Sequence, residues 1–152
     1  MAINKIEHIG IAVKDLEASE ILFAKILGTT SYKRESVESE GVITSFFKVG
    51  DVKIELLAAT NSDSPIAKFI EKKGEGIHHI AFDTNNIEEE LFNKINLGIQ
   101  PINSQPKDGA DNKYIAFLHP KSTNSFSWNC VKKNRADSFL QSYHKFLDSI
   151  NN

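Results

Sequence analysis

Two histidines, His8 and His79, occupy equivalent places in a repeated stretch of this 152-residue sequence. Residues 7–28 (EHIGIAVKDLEASEILFAKILG) align with residues 78–98 (HHIAFDTNNIEEELFNKINLG) at an offset of about 71 residues. In each copy the histidine stands in a run that alternates apolar with small or polar residues, as in a β-strand with one buried face. Folding the two copies about a pseudo-twofold axis would bring the two imidazoles to facing positions on one sheet.

The last strand predicted for the first copy offers a third side chain to the same face. In the run 52–57 (VKIELL), Ile54 and Leu56 suit the face that a helix covers. Glu55, which lies between them, then points toward the histidines. A carboxylate beside two imidazoles is a donor set that suits a divalent first-row metal, with open positions for water or substrate.

The matching strand of the second copy, 126–131 (FSWNCV), places Ser127 and Asn129 on the cavity side. We therefore predict one divalent ion (Co, Ni, Zn, Mn or Fe) on His8, Glu55 and His79, with the amide of Asn129 as a weaker fourth ligand. The alternative is that each histidine merely fills a place in the core or on the surface.

Other polar residues carry weaker signals. His78 is expected to point away from His79 across the strand and to be structural. The turn His119-Pro120-Lys121-Ser122 offers a cation and a hydroxyl to an anionic substrate, or is simply a solvated turn. Cys130 is expected in the core, and His144 on the surface.

The elements that must position these residues follow the order strand, helix, three strands, twice over. Asp15 and Asn86 are good N-caps for the two helices, which are expected to end at Gly28 and Gly98. A short connector helix is expected to begin at Ser64-Pro65 and to end at Gly74. The extended segments are predicted at Ser31–Val37, Gly41–Val49, Val52–Ala58, Ile99–Asn103, Lys113–His119 and Phe126–Val131.

Beyond the repeat, residues 134–152 carry apolar side chains at three- and four-residue steps, which predicts a C-terminal amphipathic helix. We expect it to pack on the domain or to cover a dimer contact, with a ligand lid as the alternative. The fold class predicted is α+β, in one domain over residues 1–133 with modules at about 5–58 and 77–132.

Composition excludes several classes of partner. Lys+Arg 18 against Asp+Glu 20 gives a net charge of −2, which is no basic excess for nucleic acid or an anionic membrane. The single cysteine can make neither an intramolecular disulfide nor a thiolate cluster. Neither a membrane-spanning run nor a secretory signal is evident in the sequence, so we expect a cytoplasmic protein.

Four stretches resemble the vicinal oxygen chelate superfamily, and most closely its methylmalonyl-CoA epimerases: EHIGIAVKDLE, VGDVKIELL, DSPIAKFIEKKGEGIHHIAF and IAFLHPKST. The resemblance implies paired βαβββ modules that form a cupped half-barrel around one metal ion, commonly in a homodimer. It also implies a CoA thioester substrate that carries a carboxylate. The α proton of that substrate is removed and then returned to the opposite face.

Two positions depart from the pattern of that family. Its acidic fourth ligand, which is also assigned to proton transfer, is Asn129 here, and a glutamate that some members carry on the third strand is Thr44. An amide cannot act as a base near neutral pH. The base is therefore unassigned, with Asp83, Glu40 and Glu38 as candidates.

The sequence therefore predicts a methylmalonyl-CoA epimerase-like metal-dependent isomerase. His119, Lys121 and Ser122 are its candidate substrate contacts. Two alternatives stay open, because a fold alone does not fix a function. One is a divergent enzyme of the superfamily that acts on another small anionic substrate, and the other is a non-catalytic binding protein with the same cup.

Overall fold

A computed structural model of the protein describes residues 3–125 and 127–133. The predicted C-terminal helix over residues 134–152, His144 and Phe126 therefore lie outside the described residues.

The described chain forms one mixed eight-stranded sheet with helices packed against it. The strand order across the sheet is β2-β3-β4-β1-β5-β8-β7-β6. The elements are β1 Ile3–Ala12, α1 Leu16–Leu27, β2 Lys33–Val37, β3 Val42–Val49, β4 Val52–Ala59, α2 Pro65–Lys73, β5 Gly76–Thr84, α3 Ile87–Asn96, β6 Lys107–Gly109, β7 Lys113–Leu118 and β8 Trp128–Lys133. Short 3-10 helices span Glu38–Glu40 and Pro120–Ser122.

The sheet is built from two βαβββ modules that meet along one seam. β1 and β5 pair antiparallel at that seam, and each pairs in parallel with the last strand of its own module, β4 or β8. The remaining strands of each module extend the sheet outward as antiparallel neighbours. The result is a nearly closed half-barrel, which confirms the predicted α+β class.

Local capping sets the helix ends where the sequence places them. The Asp15 carboxylate accepts a hydrogen bond from the Ala18 amide, and α1 ends at Gly28, whose φ of 66° suits glycine. Ser64 likewise caps α2. In α3, Asn86 is the N-cap, and the helix ends at Asn96, just before Leu97-Gly98. None of the helices in the described residues is long and apolar enough to cross a membrane.

Helices α1 and α3 cover the outer face of the sheet. Val13, Leu16, Phe47 and Leu56 form the core beneath α1. The equivalent core beneath α3 consists of Ile87, Leu91, Ala116, Leu118 and Cys130. Because these cores hold the apolar side of each alternating strand, the polar and small side chains of β1, β4, β5 and β8 face the inside of the cup.

One predicted strand, Ile99–Asn103, is wrong. That segment makes only an isolated bridge between Pro101 and Leu118, and the edge strand of the second module is the three-residue β6. Pro101 has no backbone N–H to donate to a ladder, which limits pairing along the segment.

Candidate metal centre

His8, Glu55 and His79 lie together on three neighbouring strands. Gly10 of β1 pairs with Glu55 on one side and with His79 on the other. The His8 Nε2 atom lies 2.8 Å from His79 Nε2 and 3.2 Å from Glu55 Oε2, and His79 Nε2 lies 3.6 Å from the same oxygen. One ligand atom from each residue thus falls within 4.8 Å of the other two.

Gly10 leaves the space that the His79 ring occupies. A Cβ atom on residue 10 would lie 2.3 Å from His79 Cε1 and 2.6 Å from its Nδ1, well inside van der Waals contact. The ring therefore crosses directly over the Gly10 backbone on its way to His8. Glycine is required here by close approach, not by an unusual backbone angle.

Asn129 lies on β8, the strand next to β5 in the sheet. It pairs with Ala81 of β5 and Phe117 of β7, is 2% exposed and lines the same cavity as the other three residues. Its Oδ1 atom is buried without a hydrogen-bond partner. A buried acceptor left unsatisfied is costly unless something outside the protein chain binds it.

These donors fit a divalent metal ion. Two imidazole nitrogens, a carboxylate oxygen and a partnerless amide oxygen face one cavity, and all four residues are buried. Nitrogen and oxygen donors of this kind bind first-row metals, and several such ions would suit them.

The charges of the cluster also favour a cation. Burial opposes the charged form of His8, but hydrogen bonds to Glu55 and Glu7 outweigh it and raise the pKa of His8 to about 9. Burial likewise opposes the Glu55 carboxylate, yet the facing His79 and His8 rings outweigh it and lower the pKa of Glu55 to about 2. For His79, burial and the neighbouring charge of His8 lower the pKa. The carboxylates around the two rings therefore stabilise positive charge in the cluster.

Glu7, which the sequence analysis did not single out, also faces the cavity. Ile6 pairs with Phe82 and His8 with Ala81, so Glu7 is an extra residue in β1. Such a bulge turns two successive side chains toward the same side of a sheet. The Glu7 carboxylate is buried, and its Oε2 lies 2.5 Å from His8 Nδ1.

The expectation that His78 points away from His79 is wrong for the same reason. Gly10 pairs with His79 and Ile11 with Ile77, so His78 is the extra residue of a bulge in β5. It lines the cavity, and its Nδ1 lies 2.9 Å from His79 Nδ1. Burial and the neighbouring His79 lower the pKa of His78 to about 4. Strict two-residue alternation fails wherever a bulge intervenes.

A network of ion pairs borders the cavity. Lys53 Nζ lies 2.6 Å from Glu7 Oε1 and 2.5 Å from Asp111 Oδ2. Lys113 reaches the same Glu7 oxygen at 3.2 Å, and Lys33 reaches Asp111 at 3.2 Å. Lys53 belongs to the first module and Asp111 to the second, so this ion-pair network joins the two modules.

The cavity has a volume of about 670 Å3 and a largely apolar wall. Ile66 and Phe69 of α2 contribute to one part of the wall, and Ile115 and Phe117 of β7 contribute to another. A cavity of this size is large enough for a small organic ligand.

The sequence profile of the Glyoxalase/Bleomycin resistance protein/Dioxygenase superfamily matches residues 7–117. The chain belongs to this superfamily. It is 40% identical over 121 residues to the uncharacterised Bacillus subtilis protein YqjC, covering 80% of this chain and 86% of YqjC. It is 36% identical to the ethylmalonyl-CoA/methylmalonyl-CoA epimerase of Cereibacter sphaeroides. That alignment covers 80% of this chain and 92% of the epimerase.

A solved structure of the superfamily shares the architecture. A Streptomyces coelicolor methylmalonyl-CoA epimerase variant in complex with 2-nitronate-propionyl-CoA superposes with a TM-score of 0.83 at 31% identity. The match covers 86% of this chain and 95% of that one. The resemblance inferred from the sequence is thereby confirmed.

The three candidate bases differ in their position relative to the cavity. Glu40 lines the cavity and is paired with Lys107 at 2.5 Å. Glu38 lies in the same 3-10 turn but is not among the lining residues. Asp83 accepts a hydrogen bond from Asn4 and is also outside the lining.

The turn predicted to contact substrate borders the cavity through Pro120. Its polar groups bond within the turn or to the adjacent segment. Lys121 N donates to His119 Nδ1, and Ser122 Oγ donates to the His119 carbonyl. His119, Lys121 and Ser122 are not among the lining residues themselves.

Proposed function

We propose that this protein is a metal-dependent epimerase that moves the α proton of an acyl-CoA of the methylmalonyl-CoA type. The observation that carries the proposal is the convergence of His8, Glu55, His79 and the partnerless Asn129 oxygen on one cavity. Relatives named as epimerases of such thioesters support the choice of substrate class.

The four residues would hold a single divalent ion. The ion would supply positive charge that stabilises negative charge developing on the oxygens of a bound thioester. Glu55 is the one carboxylate among the four donors, so the donor set carries a single negative charge. A divalent ion would leave this donor set net positive, which favours an anionic substrate.

Glu40 is our candidate for the proton carrier. Among the three carboxylates considered from the sequence, it is the one that lines the cavity. It immediately precedes Gly41 and β3, the strand that carries Thr44 toward the same cavity. A carboxylate there can take the α proton from one face of the substrate and pass it to solvent. A proton donated by water to the other face then inverts the centre.

The substrate would also contact residues outside the cavity lining. His119, Lys121 and Ser122 lie at the turn that borders the cavity through Pro120, and they would meet an anionic end of a substrate longer than the cavity. A homodimer is predicted from the resemblance and stays a prediction.

One observation favours a second candidate function, a divergent enzyme of the superfamily with another small anionic substrate. The carboxylates that line the cavity in the described part of the chain are all paired: Glu7, Glu40, Glu55 and Asp111. Asn129 is neutral, so the described cavity lining has no unpaired carboxylate that could take a proton.

The decisive experiment is exchange of the substrate α proton in deuterated water, followed by proton NMR with methylmalonyl-CoA and the metal-loaded protein. We expect exchange that stops when a chelator removes the metal. Glu40→Gln should lower the exchange rate by about 100-fold or more, the scale of a general base. The matched control is Glu71→Gln, an exposed carboxylate of α2 outside the cavity lining, which should exchange at the wild-type rate.

Asn129→Glu separates the two candidates. A gain in metal affinity together with faster exchange is expected if the site is an epimerase centre that has lost its acidic corner. Absence of exchange in both the wild type and this variant, with metal bound, would reject the epimerase in favour of the second candidate.

A further inference from the structure

We propose that Glu7 and His78 are positioning residues that hold the His8 and His79 rings with their Nε2 atoms directed at the metal site. The inference rests on the metal site of the proposed function. It concerns two residues that the β1 and β5 bulges turn inward, each immediately before a histidine of the cluster.

The two bulges are related by the repeat. Glu7 precedes His8 in the first copy as His78 precedes His79 in the second. In both copies the residue before the histidine meets the Nδ1 atom of that histidine, at 2.5 Å for Glu7 and 2.9 Å for His78. In both copies the Nε2 atom of the histidine points toward the other histidine of the cluster, and the two Nε2 atoms lie 2.8 Å apart.

Glu7 can only accept hydrogen bonds in these contacts, because two lysine ammonium groups hold its carboxylate ionised. Its Oε1 lies 2.6 Å from Lys53 Nζ and 3.2 Å from Lys113 Nζ, and the side chain is buried. Its other oxygen therefore accepts the Nδ1–H of His8. A histidine that keeps a proton on Nδ1 presents the lone pair of Nε2, which is the form that ligates a metal.

His78 makes the corresponding contact with an imidazole nitrogen in place of a carboxylate oxygen. One of the two facing Nδ1 atoms must donate and the other must accept. With the lone pair of His79 Nε2 directed at the metal site, His79 Nδ1 carries the proton and donates it. His78 then accepts at Nδ1 and keeps its own proton on Nε2. Edge-on packing against Phe69, with ring centroids 4.9 Å apart, holds the His78 ring in place.

The two contacts differ in strength. A carboxylate acceptor makes a charge-assisted hydrogen bond, about twice as strong as a bond between neutral groups. Glu7 should therefore contribute more to metal affinity than His78, although the two act in the same way.

The test uses full-length protein, Zn2+ as the probe, and affinity measured by competition with a chromophoric chelator. Glu7→Met removes the acceptor at His8, and His78→Phe removes the acceptor at His79 while keeping a ring against Phe69. We expect Zn2+ affinity to fall about 10- to 100-fold for Glu7→Met, the range typical of lost outer-shell partners, and less for His78→Phe. Glu7→Gln keeps an acceptor oxygen and should recover part of that loss.

A second readout distinguishes positioning from a general effect on folding. In Zn2+-loaded protein labelled with 15N, the His8 Nδ1–H proton should appear far downfield, and it should move upfield in Glu7→Met while that of His79 stays in place. His78→Phe should shift the His79 signal alone. The control Glu71→Gln, at an exposed α2 carboxylate outside the cavity lining, should leave both signals and the affinity unchanged.

Unchanged Zn2+ affinity and unchanged Nδ1–H signals in both Glu7→Met and His78→Phe would overturn the inference. A wild-type protein that binds no Zn2+ would overturn both the inference and the proposed metal site. Loss of affinity as expected, in a protein that shows no α-proton exchange, would keep the positioning roles and reject the epimerase alone.

Discussion

At the scale of single residues, the candidate metal centre depends on which side chains are absent as well as on which are present. Gly10 has no Cβ, and the His79 ring passes through the space that a Cβ would fill. Asn129 has no charge, and its buried Oδ1 has no partner in the protein. The first feature makes room for one ring of the cluster, and the second leaves a buried acceptor without a partner in the cavity lining.

The Gly10→Ala variant tests the first of these features. The new Cβ would lie 2.3 Å from His79 Cε1, so the ring must leave its place beside His8. We expect a loss of about 1 to 3 kcal/mol in the free energy of unfolding, as for other overpacked sites, measured by urea denaturation. Metal affinity should fall as well, because His79 no longer reaches the site.

The clash is specific to the His79 ring, so a double-mutant cycle provides the control. Gly10→Ala in a His79→Ala background should cost little stability, because the ring that it would meet is gone. An equal cost in both backgrounds would show that the ring does not require the glycine.

At the scale of elements, bulges decide which side chains a strand turns into the cup, and caps decide where a helix begins. The bulges at Glu7 and His78 each bring one more polar side chain into the cup than alternation allows.

On the outer face, α3 buries a carboxylate. Glu90 is 4% exposed in the core beneath that helix, with Oε1 at 2.8 Å from Lys94 Nζ and Oε2 unpartnered.

Lys94→Met should expose the cost of that buried charge. Removing one partner of a buried ion pair leaves the other charge uncompensated, and we expect a loss of about 2 to 3 kcal/mol in unfolding free energy. The double variant Glu90→Leu/Lys94→Met should recover most of the loss, because an apolar pair suits that core. A Lys94→Met protein as stable as the wild type in urea would contradict this account of α3.

At the scale of the whole molecule, the two modules are joined at the cavity rim as well as along the β1–β5 seam. Asp111 lies in the turn between β6 and β7 and bonds to Lys33 of β2 and Lys53 of β4. Residues 111 and 112 have φ values of 56° and 52°, a conformation that aspartate and asparagine tolerate. The contact brings the edge of the second module over that of the first.

Asp111→Asn should weaken this contact without straining the turn, because asparagine also tolerates a positive φ. Burial works against the Asp111 carboxylate, but Lys53 and Lys33 outweigh it and lower its pKa from 3.8. Its stabilising effect is therefore present above pH 3.8 and is lost as the pH falls through the lowered pKa. We expect the variant to be about 1 kcal/mol less stable at pH 7, a value reduced for partial exposure.

The pH dependence provides the check on that prediction. Urea denaturation at a series of pH values should show the two proteins converging in stability toward pH 2. A difference that persists unchanged at low pH would mean that the ion pairs are not its cause.

Local patterns in the sequence determined much of this arrangement. Two-residue alternation placed Glu55 and the two histidines on one face, because side chains of a regular strand follow that period whatever surrounds them. Asp15, Ser64 and Asn86 marked the helix starts, because capping depends on groups within a few residues. The repeat itself predicted that the two histidine strands would meet.

Only the tertiary structure decided the rest. The inward turn of Glu7 and His78 depends on the register between β1 and β5, which is set by strands about 70 residues apart and breaks the local period. The ion pairs of Asp111 depend in the same way on where two modules close on each other. Alternation and capping are local properties, whereas strand register and module closure are properties of the assembled sheet, and the residues that hold the two histidines belong to the second kind.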